Sequence, residues 1–251
     1  MKYLISFLFL ALAFSMKSEA KVTLPSILGN NMVLQQQAEV KLWGKARPNA
    51  TVTVKTSWNG QTYKFSSDGK GGWSLTVSTP VAGGPYKIIF NDGELLTLQN
   101  VLIGEVWFCS GQSNMEMPMG CFDRQPVRGA NDIIAKAKPS TPIRMYTTDS
   151  KDGRWVRQFS KTPAEDCQGE WLENTPVNVS HISAVSYYFA RYIQEVLEVP
   201  VGIVVSTWGG SKVEAWMSRE SIKPFSSIDL SILDNDAEVK NPTATPCVLY
   251  N

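Results

Sequence analysis

The stretch that most constrains the fold begins at Val101. Residues 101–108 are mostly apolar, with β-branched and aromatic side chains, and the chain then breaks at once into Ser-Gly-Gln-Ser-Asn at 110–114. Such a run predicts a buried strand of an α/β sheet. Ser113 is therefore predicted at the carboxyl end of a strand, where open α/β sheets bind their ligands. The pattern alone leaves two interpretations open: a nucleophile, or a turn serine that caps a helix.

The N-terminus has the pattern of a secretory signal. Lys2 precedes an apolar run at residues 3–14, and Ser18-Glu19-Ala20 fits the small-x-small rule for cleavage. Residues 1–20 are therefore predicted to be a signal peptide, and the protein to be secreted or periplasmic. The apolar run is too short to cross a bilayer, which argues against a membrane anchor. Acidic and basic residues balance in the remainder, so neither nucleic acid nor an anionic membrane surface is expected as a partner.

Cysteine and histidine usage argues against a metal site. The only histidine is His181, and none of the four cysteines forms a Cys-x-x-Cys pair: Cys109, Cys121, Cys167 and Cys247. These are too few ligands for zinc, so no metal and no cofactor are predicted. An even number of cysteines in an exported chain is compatible with one or two disulfides and equally with buried free thiols.

Residues 21–100 alternate apolar and polar side chains between turn signals such as Asn59-Gly60, which predicts a small all-β sandwich. Inward-facing positions are expected at Val40, Leu42, Val52, Val54, Trp58, Tyr63, Phe65, Trp73, Leu75, Val77, Tyr86, Ile88 and Phe90. The tryptophans Trp43, Trp58 and Trp73 have two interpretations, core packing or a surface that stacks on sugars, and core packing is preferred.

Residues 101–251 change to an alternation of helices and buried strands, which predicts an α/β unit. A helix is predicted over 131–138, a strand over 143–146, and a long polar irregular segment over 147–176. An apolar face over 185–197 predicts the next helix, and residues 201–206 a buried parallel strand. Trp208 to Trp216 is interpreted as a turn that enters a helix. Two strand exits on one sheet should converge at the same edge.

A site for acyl transfer needs a nucleophile and N–H donors for the carbonyl oxygen. Ser113 is the candidate nucleophile. Its own N–H and that of Gly209 or Gly210 are candidate donors, although a plain helix-entry turn also explains the two glycines. The strained elbow of α/β-hydrolases is excluded, because Met115 stands where its second glycine is required.

The motifs together resemble a known family. The segments Asn31-Met-Val-Leu-Gln35, Gly104-Glu-Val-Trp107, Ser110 to Pro118, Ser183 to Ala190 and Trp208 to Trp216 are similar, in this order, to the bacterial sialate O-acetylesterases of the SGNH-type serine esterase superfamily. The resemblance implies an incomplete three-layer α/β/α domain over 101–251, preceded by the β-sandwich. It implies a nucleophilic Ser113, an oxyanion hole formed with Gly209 or Gly210, and an O-acetylated sugar as partner. Substrate contacts are expected from Gln112, Asn114, Trp208, Glu214 and Trp216, for the last three of which structural packing is the alternative.

The sequence departs from the family in one respect. The closing Asp-x-x-His of the family does not occur in residues 1–251, and His181 has Asn178 three residues before it. His181 is therefore expected to be a helix-entry or surface residue, and the chain a fragment with incomplete catalytic machinery. The expected function is removal of O-acetyl groups from carbohydrate, sialic acid above all. The alternatives are an esterase for acetylated polysaccharide such as xylan, and a non-catalytic carbohydrate-binding protein.

Overall fold

The computed structural model describes residues 22–148, 150–151, 154–155 and 157–251, which form a mixed α/β structure. Residues 1–20, the predicted signal peptide, lie outside the described part. The first half of the chain consists of strands: β1 (Val33–Gln35), β2 (Glu39–Lys45), β3 (Thr51–Thr56), β4 (Thr62–Ser66), β5 (Gly72–Ser78), β6 (Gly83–Asn91) and β7 (Leu95–Gly111). The five strand stretches predicted before residue 100 are confirmed at β2 to β6, except that Trp58 lies in the turn after β3.

These strands enclose one apolar core. An antiparallel pair, β2 with β5, contributes Leu42 and Val77, and the sheet that contains β3 and β6 contributes Val54 and Phe90. All four side chains are fully buried, as the alternating pattern predicted. Trp73 is a core residue at 7% exposure, with ring centroids 5.1 Å from Phe65 and 5.7 Å from Phe90.

The second half alternates helices and strands. Its elements are α1 (Ser113–Glu116), α2 (Ala130–Lys136), β8 (Ile143–Thr147), β9 (Ser150–Lys151), β10 (Arg154–Trp155), β11 (Glu170–Glu173), α3 (Pro176–His181), α4 (Ala184–Leu197), β12 (Val201–Thr207) and α5 (Arg219–Ile222), with 3₁₀ turns at Val213–Trp216 and Ser231–Asp234. The main sheet runs in the order β11, β8, β12, β7, β6, β3, β4. In it β12 lies between β8 and β7 and is parallel to both.

Strand β7 belongs to both halves. Its first part pairs with β6 and β1, and residues 105–111 pair with β12. The strand thus crosses the boundary predicted between residues 100 and 101, and that boundary stays a prediction. Asn100 has a left-handed φ of 55°, and its side-chain amide donates to Asn31 Oδ1 at 2.8 Å and to Glu173 Oε1 at 3.1 Å. Asparagine tolerates this conformation, so the strand bends there without ending.

The helix predicted over 131–138 is found as α2, and that over 185–197 as α4, with caps from the side chain of Ser183 and a left-handed Glu198. The prediction of an irregular segment over 147–176 was wrong in part, since the two-residue strands β9 and β10 and the longer β11 lie within it. Trp171 is 5% exposed and its indole N–H donates to Ile27 O at 2.7 Å. Four residues at a sheet edge are too few to give a periodic signal; tertiary contacts make this strand.

All four cysteines are free thiols in the structure, with Cys109 and Cys247 buried and Cys121 and Cys167 exposed. Burial raises the pKa of the Cys109 thiol, so it stays protonated at neutral pH. In the part of the chain that the structure describes, no helix is long and apolar enough to cross a membrane.

Candidate functional site

The candidate site lies where β7 and β12 end side by side. Ser206 is in register with Ser110, and Thr207 with Gly111, so the two strands leave the sheet together. The N–H of Trp208 donates to Gly111 O at 3.1 Å, one residue beyond the ladder. The predicted convergence of the two exits is confirmed, and it brings the loops that carry Ser113 and Gly209 to one edge.

Ser113 is the first residue of α1 and is exposed. Its Oγ donates to Gln112 Oε1 at 3.2 Å, and among the described residues no acceptor is found for its N–H. The turn before it requires glycine: Gly111 has a φ of 153°, and a β-carbon there would lie 2.8 Å from Met115 Cγ. Ser113 is therefore an exposed residue whose N–H is not used by any described acceptor.

Gly209 packs directly behind Ser113. A β-carbon at this position would overlap Glu116 Oε2 and would lie 3.8 Å from Ser113 Cα. Glycine is thus the residue that lets the β12 exit approach the serine. The Gly209 N–H already has an acceptor, because it donates a hydrogen bond to the Glu116 carboxylate.

The Glu116 carboxylate joins three segments of the chain. Besides the Gly209 N–H, it accepts from Arg157 Nη2 in an ion pair whose side chains are 10% and 30% exposed, respectively. The same guanidinium donates to Thr207 O at 2.9 Å and lies 5.0 Å from the ring centroid of Trp208. Glu116 and Arg157 together tie α1, the β12 exit and the segment after β10 into one unit.

The other predicted site residues differ in exposure and in their contacts with the Ser113 loop. Gln112 and Asn114 are exposed beside Ser113, and Trp208 is half-buried under Arg157. Gly210 has a φ of 73°, and no atom lies within 4 Å of the position that a β-carbon would occupy there. Of the described hydrogen bonds, none links Glu214 or Trp216 to the Ser113 loop: the Glu214 carbonyl accepts from Cys247 N at 2.9 Å, and the Trp216 indole donates to Ser211 Oγ at 2.8 Å.

A cleft of about 270 Å³ lies beside the cluster formed by Ser113, Glu116, Arg157, Trp208 and Gly209. Its wall includes Arg157 and Phe159, the strand-end residue Ser206, and Asp166. The Phe159 ring lies 6.3 Å from that of Trp208, so the cleft begins next to the β12 exit. Its lining mixes apolar side chains with polar and charged ones, so the cleft can hold a small ligand.

His181 is the last residue of α3 and is exposed, as expected for a surface residue. Its imidazole makes no hydrogen bond to any described residue. Nothing in the described geometry connects it to Ser113.

Two residues of the cluster were not predicted. Glu116 lies one helical turn after Ser113, and this spacing could have drawn attention to it. Arg157 lies in the long polar segment whose length indicates a functional loop, but no local pattern distinguishes it from the neighbouring charged residues.

Comparisons with known proteins support a common origin with one group of esterases. No family model matches the chain. The sialate O-acetylesterases of Pongo abelii and Homo sapiens are each 30% identical to it over 216 residues, which cover 79% of this chain and 39% of those proteins. The chain thus spans less than half the length of these relatives.

A solved structure extends the similarity to the fold. The crystal structure of a carbohydrate acetylesterase from Xanthomonas citri superposes with a TM-score of 0.77 at 31% identity, covering 92% of this chain and 47% of the other. The motifs around Ser113 and Gly209, the sequence identity and the shared fold lead to one assignment. The chain belongs to the sialate O-acetylesterase family.

Proposed function

We propose that the chain carries the nucleophile of an enzyme that removes O-acetyl groups from carbohydrate, sialic acid first among the candidates. The observation that carries the proposal is the exposed Ser113 at a strand exit, held against Gly209 by the Glu116 and Arg157 pair. The similar proteins support this reaction class, since two are named sialate O-acetylesterase and one is a carbohydrate acetylesterase.

In the proposed mechanism, Ser113 Oγ attacks the acetyl carbonyl and its proton passes to a base. The carbonyl oxygen becomes negative and is stabilised by the Ser113 N–H together with that of Gly209 or Gly210. The bond between the acetyl carbon and the sugar oxygen breaks, the sugar oxygen takes the proton from the base, and the acetyl group stays on Ser113. Water then attacks the acetyl-serine, which releases acetate and restores the hydroxyl.

Of the two glycine donors, Gly209 has to exchange the Glu116 carboxylate for the substrate oxygen before it can act. Gly210 needs no such exchange, because its N–H has no acceptor among the described residues. With His181 set aside, the sequence offers no imidazole as the base. We therefore expect slow turnover by the 251 residues alone.

The finer fold assignment is part of the same proposal: an SGNH-type α/β/α domain after an N-terminal β-sandwich. The β2–β5 pair and the sheet that contains β3 and β6 share one core, which supports the sandwich. The parallel β8, β12 and β7, with α4 packed on β12, support the α/β/α domain. Export is likewise proposed from the signal pattern of residues 1–20.

The test is rescue of the base by added imidazole. Hydrolysis of p-nitrophenyl acetate by the chain should rise with imidazole concentration above the rate for Ser113→Ala, which accounts for hydrolysis by imidazole itself. Ser110→Ala, in the same strand exit, serves as the matched control and should behave like the wild type. Equal rates for Ser113→Ala and wild type would contradict the proposal.

The substrate is tested separately. Acetate release from O-acetylated sialic acid is compared with release from acetylated xylan. Preference for xylan would favour a polysaccharide esterase with the same chemistry. Absence of Ser113-dependent release from both would favour the non-catalytic carbohydrate-binding protein.

A further inference from the structure

Trp43, which lies outside the cluster around Ser113, lines a second cleft. Trp43 on β2 is 38% exposed, in contrast to Trp73, which is 7% exposed in the core. Among the described residues the Trp43 indole has neither a hydrogen-bond acceptor nor a ring partner. It lines a cleft of about 330 Å³ between residues 23–25 and the segment that contains Glu165 and Asp166.

Hydrogen bonds and an ion pair hold several of the residues that line this cleft. Asp166 accepts from the Ser26 N–H at 2.9 Å and from the Ser26 hydroxyl at 2.7 Å. Lys45 and Glu165, which both line the cleft, form an exposed ion pair. The next residue after Trp43 is Gly44, where a β-carbon would overlap the Thr23 carbonyl oxygen, so strand β2 packs closely against residue 23, which also lines the cleft.

The charges of the lining select the kind of ligand. The lining contains two carboxylates, Glu165 and Asp166, and one ammonium, Lys45, so the cleft carries a net negative charge and disfavours an anionic ligand. An indole face offers apolar area to the C–H face of a ring, and carboxylates accept hydrogen bonds from hydroxyl groups. A neutral pyranose ring offers both. The volume is at the low end for ligand sites, which fits a single ring.

The cleft is connected to the Ser113 edge by one segment of chain. Asp166 lines both this cleft and the one that contains Arg157 and Ser206. Arg157 in turn pairs with Glu116, which contacts Gly209 behind Ser113. A path along residues 157–166 therefore leads from the nucleophile to Trp43.

We propose that the Trp43 cleft binds a neutral sugar ring of an oligosaccharide whose acetylated sugar reaches Ser113. This deepens the proposed function and rests on it: the substrate is an oligosaccharide or longer glycan, and not a free acidic monosaccharide. Sugar binding at Trp43 itself does not require turnover.

The test measures binding of unacetylated sugars to the full chain by calorimetry. The probes are 3′-sialyllactose and xylotetraose, which contain neutral rings, and free sialic acid, which does not. Trp43→Ala should weaken binding of both oligosaccharides about tenfold, equivalent to about 1.4 kcal/mol, and leave free sialic acid unchanged. Tyr192→Ala, an exposed aromatic residue of α4 at 66%, is the matched control and should leave all three unchanged.

Equal affinity of a folded Trp43→Ala protein and the wild type for both oligosaccharides would overturn the proposal, and so would tighter binding of free sialic acid than of 3′-sialyllactose. The two proposals fail separately. Trp43-dependent binding without Ser113-dependent acetate release overturns only the esterase function, whereas acetate release without Trp43-dependent binding overturns only the cleft.

Discussion

Replacement of Glu116 tests whether its carboxylate holds the site together. Glu116→Ala removes one partner of an ion pair whose side chains are 10% and 30% exposed, and it leaves the Gly209 N–H without its acceptor. Removing one partner of a fully buried pair costs about 3–5 kcal/mol. An unpaired buried N–H costs a further 1–3 kcal/mol or so.

Two features of the structure lower this sum. Arg157 is partly exposed, so water solvates its guanidinium once the carboxylate is gone, and it keeps its bond to Thr207 O at 2.9 Å. We therefore expect Glu116→Ala to lower the free energy of unfolding by about 3 kcal/mol. For a chain of this size that corresponds to a fall in Tm of about 6–12 °C. Glu116→Gln keeps an acceptor for the N–H but loses the charge, and should fall between.

Urea unfolding followed by tryptophan fluorescence measures the effect. Glu195→Ala is the matched control, since it breaks an ion pair with Arg191 on the exposed face of α4, with side chains 42% and 53% exposed. Exposed helix pairs contribute only about 0.3–0.5 kcal/mol. If Glu116→Ala cost no more than Glu195→Ala, the carboxylate would not be the junction of the three segments, and the reasoning would be refuted.

Three further predictions concern Gly209, two cysteines and Asp234. Gly209→Ala places a methyl group on the carboxylate behind Ser113 and should cost about 1–3 kcal/mol in urea unfolding, whereas Gly69→Ala, with open space around it, should stay within about 0.5 kcal/mol. The exposed Cys121 should react with Ellman's reagent in the native protein, while Cys109, buried and with its pKa raised by burial, should react only after unfolding; equal rates would contradict this. The pKa of the Asp234 carboxyl is lowered by a hydrogen bond from its arginine partner, so its stabilising effect is present at neutral pH and is lost as pH falls through that lowered pKa. The stability difference between wild type and Asp234→Asn should therefore shrink below about pH 4, and a constant difference from pH 7 to pH 3 would be the contrary result.

Much of the fold could be predicted from local pattern. Alternation of side chains identified β2 to β6, because each strand buries one face in the same core. The continuous apolar run of β12 identified a strand covered on both faces. By contrast, β7 was predicted only over 101–108, because the change of pattern near residue 100 resembles a boundary although the ladder continues from Leu95 to Gly111.

The candidate site could be predicted only as far as sheet topology determines it. Two parallel strands side by side must end at one edge, which brings Gly209 to Ser113. The pairing of Glu116 with Arg157 joins residues 41 positions apart and depends on the path of the irregular segment between them. No periodic pattern records such a path, so this contact became visible only in three dimensions.

The unbroken β7 has a consequence for how this protein can be divided. Its 17 residues form one continuous strand that bends at Asn100, and at about 3.3 Å per residue its path is about 55 Å long. A gene cut after residue 100 would divide this strand within its pairing to β6, so the two halves are poor candidates for exchange between proteins as independent modules.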